Sequence, residues 1–140
     1  STEKKMSVDT GDIGEALCIY RLLGIGVKAA KVNVGVCDVI AFDNATSIRI
    51  QVKSSNVRYR VRNDRPSDQK YYSFSLAKGG GNKEAITSDD CDVVALVALD
   101  IEKVLFMGIK EFTPGSKKIN LHPKYFYIGC ELDSWRELKC

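Results

Sequence analysis

The sequence predicts a single α/β or α+β domain, and three observations carry that prediction. They are one helical apolar pattern near the start, a succession of short β-type runs separated by turn residues, and a nearly continuous apolar run of strand length, CDVVALVALD. A chain of 140 residues with 44% hydrophobic content supports one core and not two. One domain over 1–140 is therefore expected, without repeats or a linker.

Taken in order, the first element runs from Thr10 to Leu23, where Ile13, Ala16, Leu17, Ile19, Tyr20, Leu22 and Leu23 recur at helical spacing. Thr10 or Asp12 is placed to cap it, and Gly24 or Gly26 to end it. Three β-type runs follow, VKAAKVNV, GVCDVIAFD and TSIRIQVKSS. VRYRVR alternates strictly, and after a polar link, NDRPSDQK, the run YYSFSL reads as its partner. A glycine triplet in AKGGGNKEAITSDD marks a loop. CDVVALVALD has the pattern of a strand buried on both faces, and KVLFMGI is its hairpin partner. YFYIGC reads as a last strand, and ELDSWREL as a short helix docked through Trp135.

No run approaches the roughly 18–20 apolar residues that span a bilayer, and STEKKMSVDTGD lacks the apolar core of a signal peptide. A soluble, cytoplasmic protein with no membrane partner is expected. Cys18, Cys37, Cys91, Cys130 and Cys140 are scattered and never form Cys-x-x-Cys, which argues against disulfides and zinc and for a reducing compartment. The single histidine, His122, precedes Pro123 and reads as a turn residue. A small-molecule enzyme is not expected, since no strand leads into a Gly-rich phosphate loop and no nucleophile pairs with the histidine.

The chemistry concentrates between Val36 and Ser55. In a strand, Arg49, Gln51 and Lys53 face one way while Ile48, Ile50 and Val52 face the core. If GVCDVIAFD is the antiparallel neighbour, Asp38 lies close to Gln51 and Lys53. That trio suits phosphodiester hydrolysis. Asp38, the Gln51 side-chain oxygen and the Val52 backbone carbonyl would hold Mg²⁺, for which Mn²⁺ would substitute. Lys53 would orient or help deprotonate the attacking water and stabilise charge on the phosphate. Glu15, in GDIGEAL, would hold a water of the ion's hydration shell or a second ion.

These residues, GDIGE opening a helix, then CDVIAFD, then IRIQVKSS, resemble the PD-(D/E)XK nuclease superfamily. Asp38 matches the motif Asp, Gln51 stands at the usual acidic position, Lys53 matches the Lys, and Glu15 matches the acidic residue of the first helix. Cys37 replaces the motif proline. The Gln-Val-Lys version is similar to the PD-(D/E)XK homing endonucleases of group I introns, where Gln at this position is compatible with cleavage. The resemblance implies a restriction-endonuclease-like αβββαβ core over about 10–110, a mixed central sheet flanked by helices, and a metal-dependent, site-specific endonuclease acting on double-stranded DNA. A Holliday junction resolvase shares the motif, and a non-catalytic DNA-binding module would follow if Gln51 marks a lost metal site.

Between Arg49 and Lys70 seven basic residues stand against two acidic ones, a local balance of +5 in a chain of net charge +3. Within the 56–76 ribbon, Arg58, Arg60 and Arg62 would face a DNA groove while Val57, Tyr59 and Val61 pack inward. Ser73 and Ser75 would add contacts there. Ser54, Ser55, Lys28 and Lys31 would meet the DNA backbone near the cut, and the Gly79–Gly81 loop with Lys78 and Lys83 would be a second contact. Cutting both strands in one event needs two sites, so a homodimer or homotetramer is expected. The 111–140 segment, with Phe126 and Trp135, would supply the interface.

Overall fold

The computed structural model describes residues 9–79 and 83–138, with the side chains of 66–68 set aside. The expected Gly79–Gly81 contact thus lies mostly outside the described residues. The chain begins with helix α1 (Thr10–Gly24) and continues through β1 (Lys28–Val34), β2 (Cys37–Asp43), β3 (Thr46–Ser55), β4 (Arg58–Arg62) and β5 (Arg65–Ser75). Two short strands, β6 (Ala77–Lys78) and β7 (Glu84–Ala85), precede β8 (Val93–Ala98) and β9 (Lys103–Gly108). β10 (Lys118–Leu121) and helix α2 (Cys130–Arg136) complete it. None of these helices is long and apolar enough to cross a membrane.

The cap of α1 sits one residue earlier than expected. Asp9 stays extended and its Oδ1 accepts the Gly11 N–H at 2.9 Å, so Thr10 is already helical. The central sheet has the order β1-β2-β3-β8-β9. It is mixed, as expected: β1, β2 and β3 meander antiparallel, β3 and β8 run parallel, and β9 returns antiparallel. Asn44 and Ala45, both at positive φ (48° and 66°), make the two-residue turn that joins β2 to β3 and so fixes their register.

β8 is buried along its whole length because it serves two cores. Val93, Ala95 and Val97 pack with Cys18 and Leu22 of α1 and with Trp135 of α2. Val94, Leu96 and Ala98 pack with Tyr72 and Phe74 of β5 and with Phe126. Both helices therefore cover one face, and a second sheet, β10-β5-β4, covers the other. The central sheet expected to be flanked by helices thus has them on one face only. The crossover from β3 to its parallel neighbour β8 is likewise made of strands, because that stretch is rich in β-branched and aromatic residues rather than helix formers.

The ribbon also differs. NDRPSDQK is not a link: Asn63 and Asp64, at φ 49° and 59°, form a tight hairpin turn, and β5 starts at Arg65. β4 pairs with the outer part of β5, as in Arg58↔Tyr71, whereas Tyr72–Ser75 pairs with β10. The register shifts between Tyr59 and Val61. Val57 packs against the second core as expected, but Tyr59 and Val61 are 53% and 67% exposed, so the outer part of the ribbon's apolar side is not packed on the body.

The last strand is β10, in the stretch KINL, not YFYIGC. At Pro123 the chain turns instead, with His122 Nδ1 accepting the Lys124 N–H at 2.9 Å. Trp135 docks as expected, its Nε1–H donating to Asp43 Oδ2 at 2.8 Å and its ring meeting Phe106 edge-on. Trp135 and Phe126 are both buried within this chain and so present no interface; in that segment Tyr125, Tyr127 and Ile128 are the exposed apolar residues.

Candidate active site

The β2–β3 register pairs Val39 with Ile50, which brings Asp38 to the level of Gln51. Asp38 Oδ2 accepts the Val52 N–H at 2.9 Å, a bond that anchors the carboxylate where the β2–β3 ladder ends. Gln51 and Lys53 share the opposite face from Ile50 and Val52, as the alternation requires, and the latter two enter the α1-side core. Asp38, Gln51 and Lys53 line one cavity of about 330 Å³, together with Ser75, Ala77, Lys78 and Lys83.

Gln51 is the unusual member. It is buried, and its Oε1 has no hydrogen-bond partner among the described residues, a costly arrangement for a neutral amide oxygen. An orphaned hard oxygen next to a fixed carboxylate is a donor set that suits a divalent cation. The set is lean in charge: among the described residues no three His, Cys, Asp or Glu side chains group together. Two carboxylates are available, Asp38 and Glu15, and Glu15 senses the charge of Asp38.

Glu15 reaches this corner because α1 packs closely on β3. Gly14 is buried, and a Cβ there would collide with Ser54 Oγ, so the glycine of GDIGE sets how near the helix lies. Burial, and secondarily the Asp38 charge, pushes the Glu15 carboxyl above its ordinary range. Burial likewise raises Asp38, against the Val52 N–H and the Lys53 and Lys31 charges that favour its ionised form. Lys53 is moved the other way, since burial lowers its pKa despite Asp38, and Lys83 lowers it further. Its ammonium donates to the Ala77 carbonyl at 2.9 Å.

The residues expected to meet DNA divide sharply. Arg58, Arg60 and Arg62 are exposed on β4. Arg60 lies over the Tyr71 ring at 4.9 Å and Lys70 over Tyr59 at 5.7 Å, contacts that stiffen the ribbon. Lys31 pairs with Asp12 at 3.3 Å and with Glu15 at 3.9 Å, and so sits against the acids of α1. Ser54 lies against Gly14 of α1 and is half-buried. Ser55 is buried; its hydroxyl donates to Asn56 O and accepts the Ser73 N–H, tying β3 to β5. Ser73 is buried as well. Even parity for 54 and membership of the inner half of β5 for 73 account for these corrections. Ser75 is exposed, but in the Asp38 cavity and not on the ribbon.

Arg49, counted with the basic run, is a clamp. Its guanidinium bonds both Asp92 oxygens and the carbonyls of Ser88 and Asp89, holding the turn before β8. Reading the residues alone missed the Ala77 carbonyl, which has no side-chain signature, and the Lys78–Asp90 pair at 2.8 Å. A larger concavity of about 570 Å³ lies between the ribbon and the 118–123 stretch, with Arg60, Lys70, Tyr71 and His122 in its walls. Among its described lining residues there is no carboxylate, whereas the smaller cavity holds Asp38.

No family model matches the sequence, and no curated protein matches it. A solved structure, that of the bacterial homing endonuclease I-Ssp6803I, is similar in fold, with a TM-score of 0.59. The match covers 80% of this chain and 72% of that one at 20% sequence identity. At that identity the likeness establishes a shared mixed-sheet architecture.

Proposed function

We propose that this chain is a metal-dependent, site-specific DNA endonuclease with a PD-(D/E)XK-type site in which Gln51 replaces the second carboxylate. The observation that carries this reading is the buried, unpartnered Gln51 Oε1 in one cavity with Asp38 and Lys53. The fold shared with a bacterial homing endonuclease supports it. Asp38, the Gln51 oxygen and the Val52 carbonyl would hold Mg²⁺, with Glu15 in reach of its outer shell. An ion held there supplies Lewis-acid polarisation and counter-charge for the phosphate oxygens.

The chain's own residues do the rest. Lys53, desolvated and with a lowered pKa, is suited both to take up a proton from the attacking water and to stand as an ammonium beside the phosphate. Asp38, fixed by the Val52 N–H, keeps the donor set aimed at one point. The exposed arginines of β4 supply long-range attraction and groove contacts. Two copies of the chain would cut the two strands of a duplex.

Nicking of supercoiled plasmid carrying a target library, with Mg²⁺ or Mn²⁺, tests the reading. Discrete metal-dependent products from the parent protein, absent with Lys53→Ala, are expected. A second reading, a DNA-binding module without catalysis, draws on the absence of a three-residue acidic cluster among the described residues. Tight DNA binding by the parent with no cleavage under any metal would favour it.

A further inference from the structure

In NLHPKY, Pro123 has no N–H with which to continue a ladder, and β10 ends two residues before it. β10 leaves β5 after Leu121↔Tyr72, and among the described residues β5 pairs from Tyr71 outward with β4 alone. The concavity of about 570 Å³ opens at that departure. Arg60, Lys70 and His122 stand in its walls with Tyr71, Leu121 and Pro123, so that polar donors adjoin apolar surface. Arg60 is stacked over Tyr71 at 4.9 Å and pairs with no carboxylate among the described residues. A stacked guanidinium keeps its N–H groups at the edge of its plane, in the fork that matches two phosphate oxygens. His122 is exposed, and its Nδ1 accepts the Lys124 N–H at 2.9 Å. That bond leaves the hydrogen of the neutral imidazole on Nε2, as a second donor.

We propose that this concavity is a binding site for the sugar–phosphate backbone of duplex DNA, with Arg60 and His122 donating to a phosphate. The site rests on the reading of the chain as a DNA endonuclease. Tyr71, Leu121 and Pro123 cover the adjoining deoxyribose, and no carboxylate among the described lining residues opposes the anion. Tyr71 and Ser75 share a face of β5 by alternation, and Ser75 lines the Asp38 cavity. Four residues of strand span roughly 13 Å, about four base-pair rises of a duplex. The phosphate held here is thus a few nucleotides from the one at Asp38, and holding it sets how the duplex lies in the site without reading its sequence.

The test measures affinity for two duplexes of unrelated sequence over a range of salt, in EDTA so that no metal-dependent cleavage intervenes. The parent, Arg60→Gln and His122→Asn are compared in the full chain; Asn keeps an acceptor for the Lys124 N–H and lacks the ring donor. Arg60→Gln should weaken binding to both duplexes by the same factor, roughly tenfold, and make log K against log salt shallower by about 0.9. His122→Asn should weaken both by roughly three- to tenfold with the salt slope unchanged. A loss in Arg60→Gln confined to one sequence would make Arg60 a base contact and overturn the proposal. Parent-like affinity in His122→Asn also overturns it, since Arg60 would then be a charge on an open surface. If both variants bind like a parent that cuts DNA with Mg²⁺, the backbone site falls and the nuclease reading stands. If the parent binds both duplexes and never cuts, the nuclease reading falls and the two variants still decide the backbone site; binding of neither duplex overturns it.

Discussion

Two regions of this molecule gather polar and charged side chains, and they treat them in opposite ways. At the β2–β3 corner, Asp38, Gln51 and Lys53 are buried or half-buried, and main-chain groups of Val52 and Ala77 hold the two charged ones. On the β4–β5 ribbon every residue of β4 is exposed, and the contacts seen there are between its own cations and tyrosines. Desolvation shifts the corner's carboxyl and ammonium toward their neutral forms. The ribbon's arginines stay exposed, a state that suits attraction at a distance and is screened by salt. The first region holds its groups at a cost in stability, and the second carries its charge at almost no cost to the fold.

Asp38→Asn should separate the two most strongly. Cleavage should fall by roughly a hundredfold or more, the scale of losing one preorganised electrostatic group. The metal-free protein should become more stable at pH 7. The sign follows from the raised pKa: the folded state disfavours the ionised carboxyl, so the associated stability is fullest below the unfolded value near 3.8 and declines as pH rises through the folded value. Asn removes that cost and keeps an oxygen for the Val52 N–H. Melting curves at pH 7 and near pH 3, without metal, check it; a lower melting temperature at pH 7 would show that the carboxylate stabilises the corner.

β8 underlies both regions, since β3 pairs along its edge and β5 packs over its second face. Leu96 is fully buried on that face with Tyr72 and Phe74. Leu96→Ala should cost about 2–5 kcal/mol in chemical denaturation. A cost under about 1 kcal/mol would mean that the β5 layer is not part of the same cooperative core.

Arg49 and Arg60 lie in the same basic run and test its division. Arg60→Ala should weaken binding to a matched DNA by roughly 1–3 kcal/mol and leave the melting temperature alone. Arg49→Ala should leave DNA affinity alone and cost roughly 1 kcal/mol of stability, because Asp92 loses its guanidinium partner, keeping the N–H of residue 49, and two carbonyls lose their donor. The reverse assignment would break the comparison at its centre.

That division also marks where the sequence could be read and where it could not. α1, β2, β3 and β8 are legible because their periodicities are local and long enough to be unambiguous, and the turn at Asn44–Ala45 then delivers Asp38 to Gln51 by register alone. Ser55 and Ser73 misled because a serine at a strand position carries no mark of whether it faces solvent or, as here, bonds a neighbouring strand. The ion pairs of Lys31 and Arg49 were not legible for the same reason, since their acidic partners lie 19 and 43 residues away. NDRPSDQK reads as a link because its composition is that of a turn, yet only Asn63 and Asp64 make one. The Ala77 carbonyl is beyond any reading of side chains.

The smallest effect expected is on the ribbon's own apolar face, and it is the sharpest check on the contrast. Strict alternation in VRYRVR would bury Val61 beneath the arginines, whereas the register shift after Tyr59 leaves it 67% exposed. Val61→Thr keeps the β-branched shape and adds one hydroxyl, so on an exposed strand it should change stability by no more than about 0.5 kcal/mol. A loss well above that, with the hydroxyl stranded in an apolar contact, would mean that the ribbon folds back onto the body. The same measurement at Val94, which lies in the second core, should by contrast show the full penalty of burying an unpaired hydroxyl, roughly 1–3 kcal/mol.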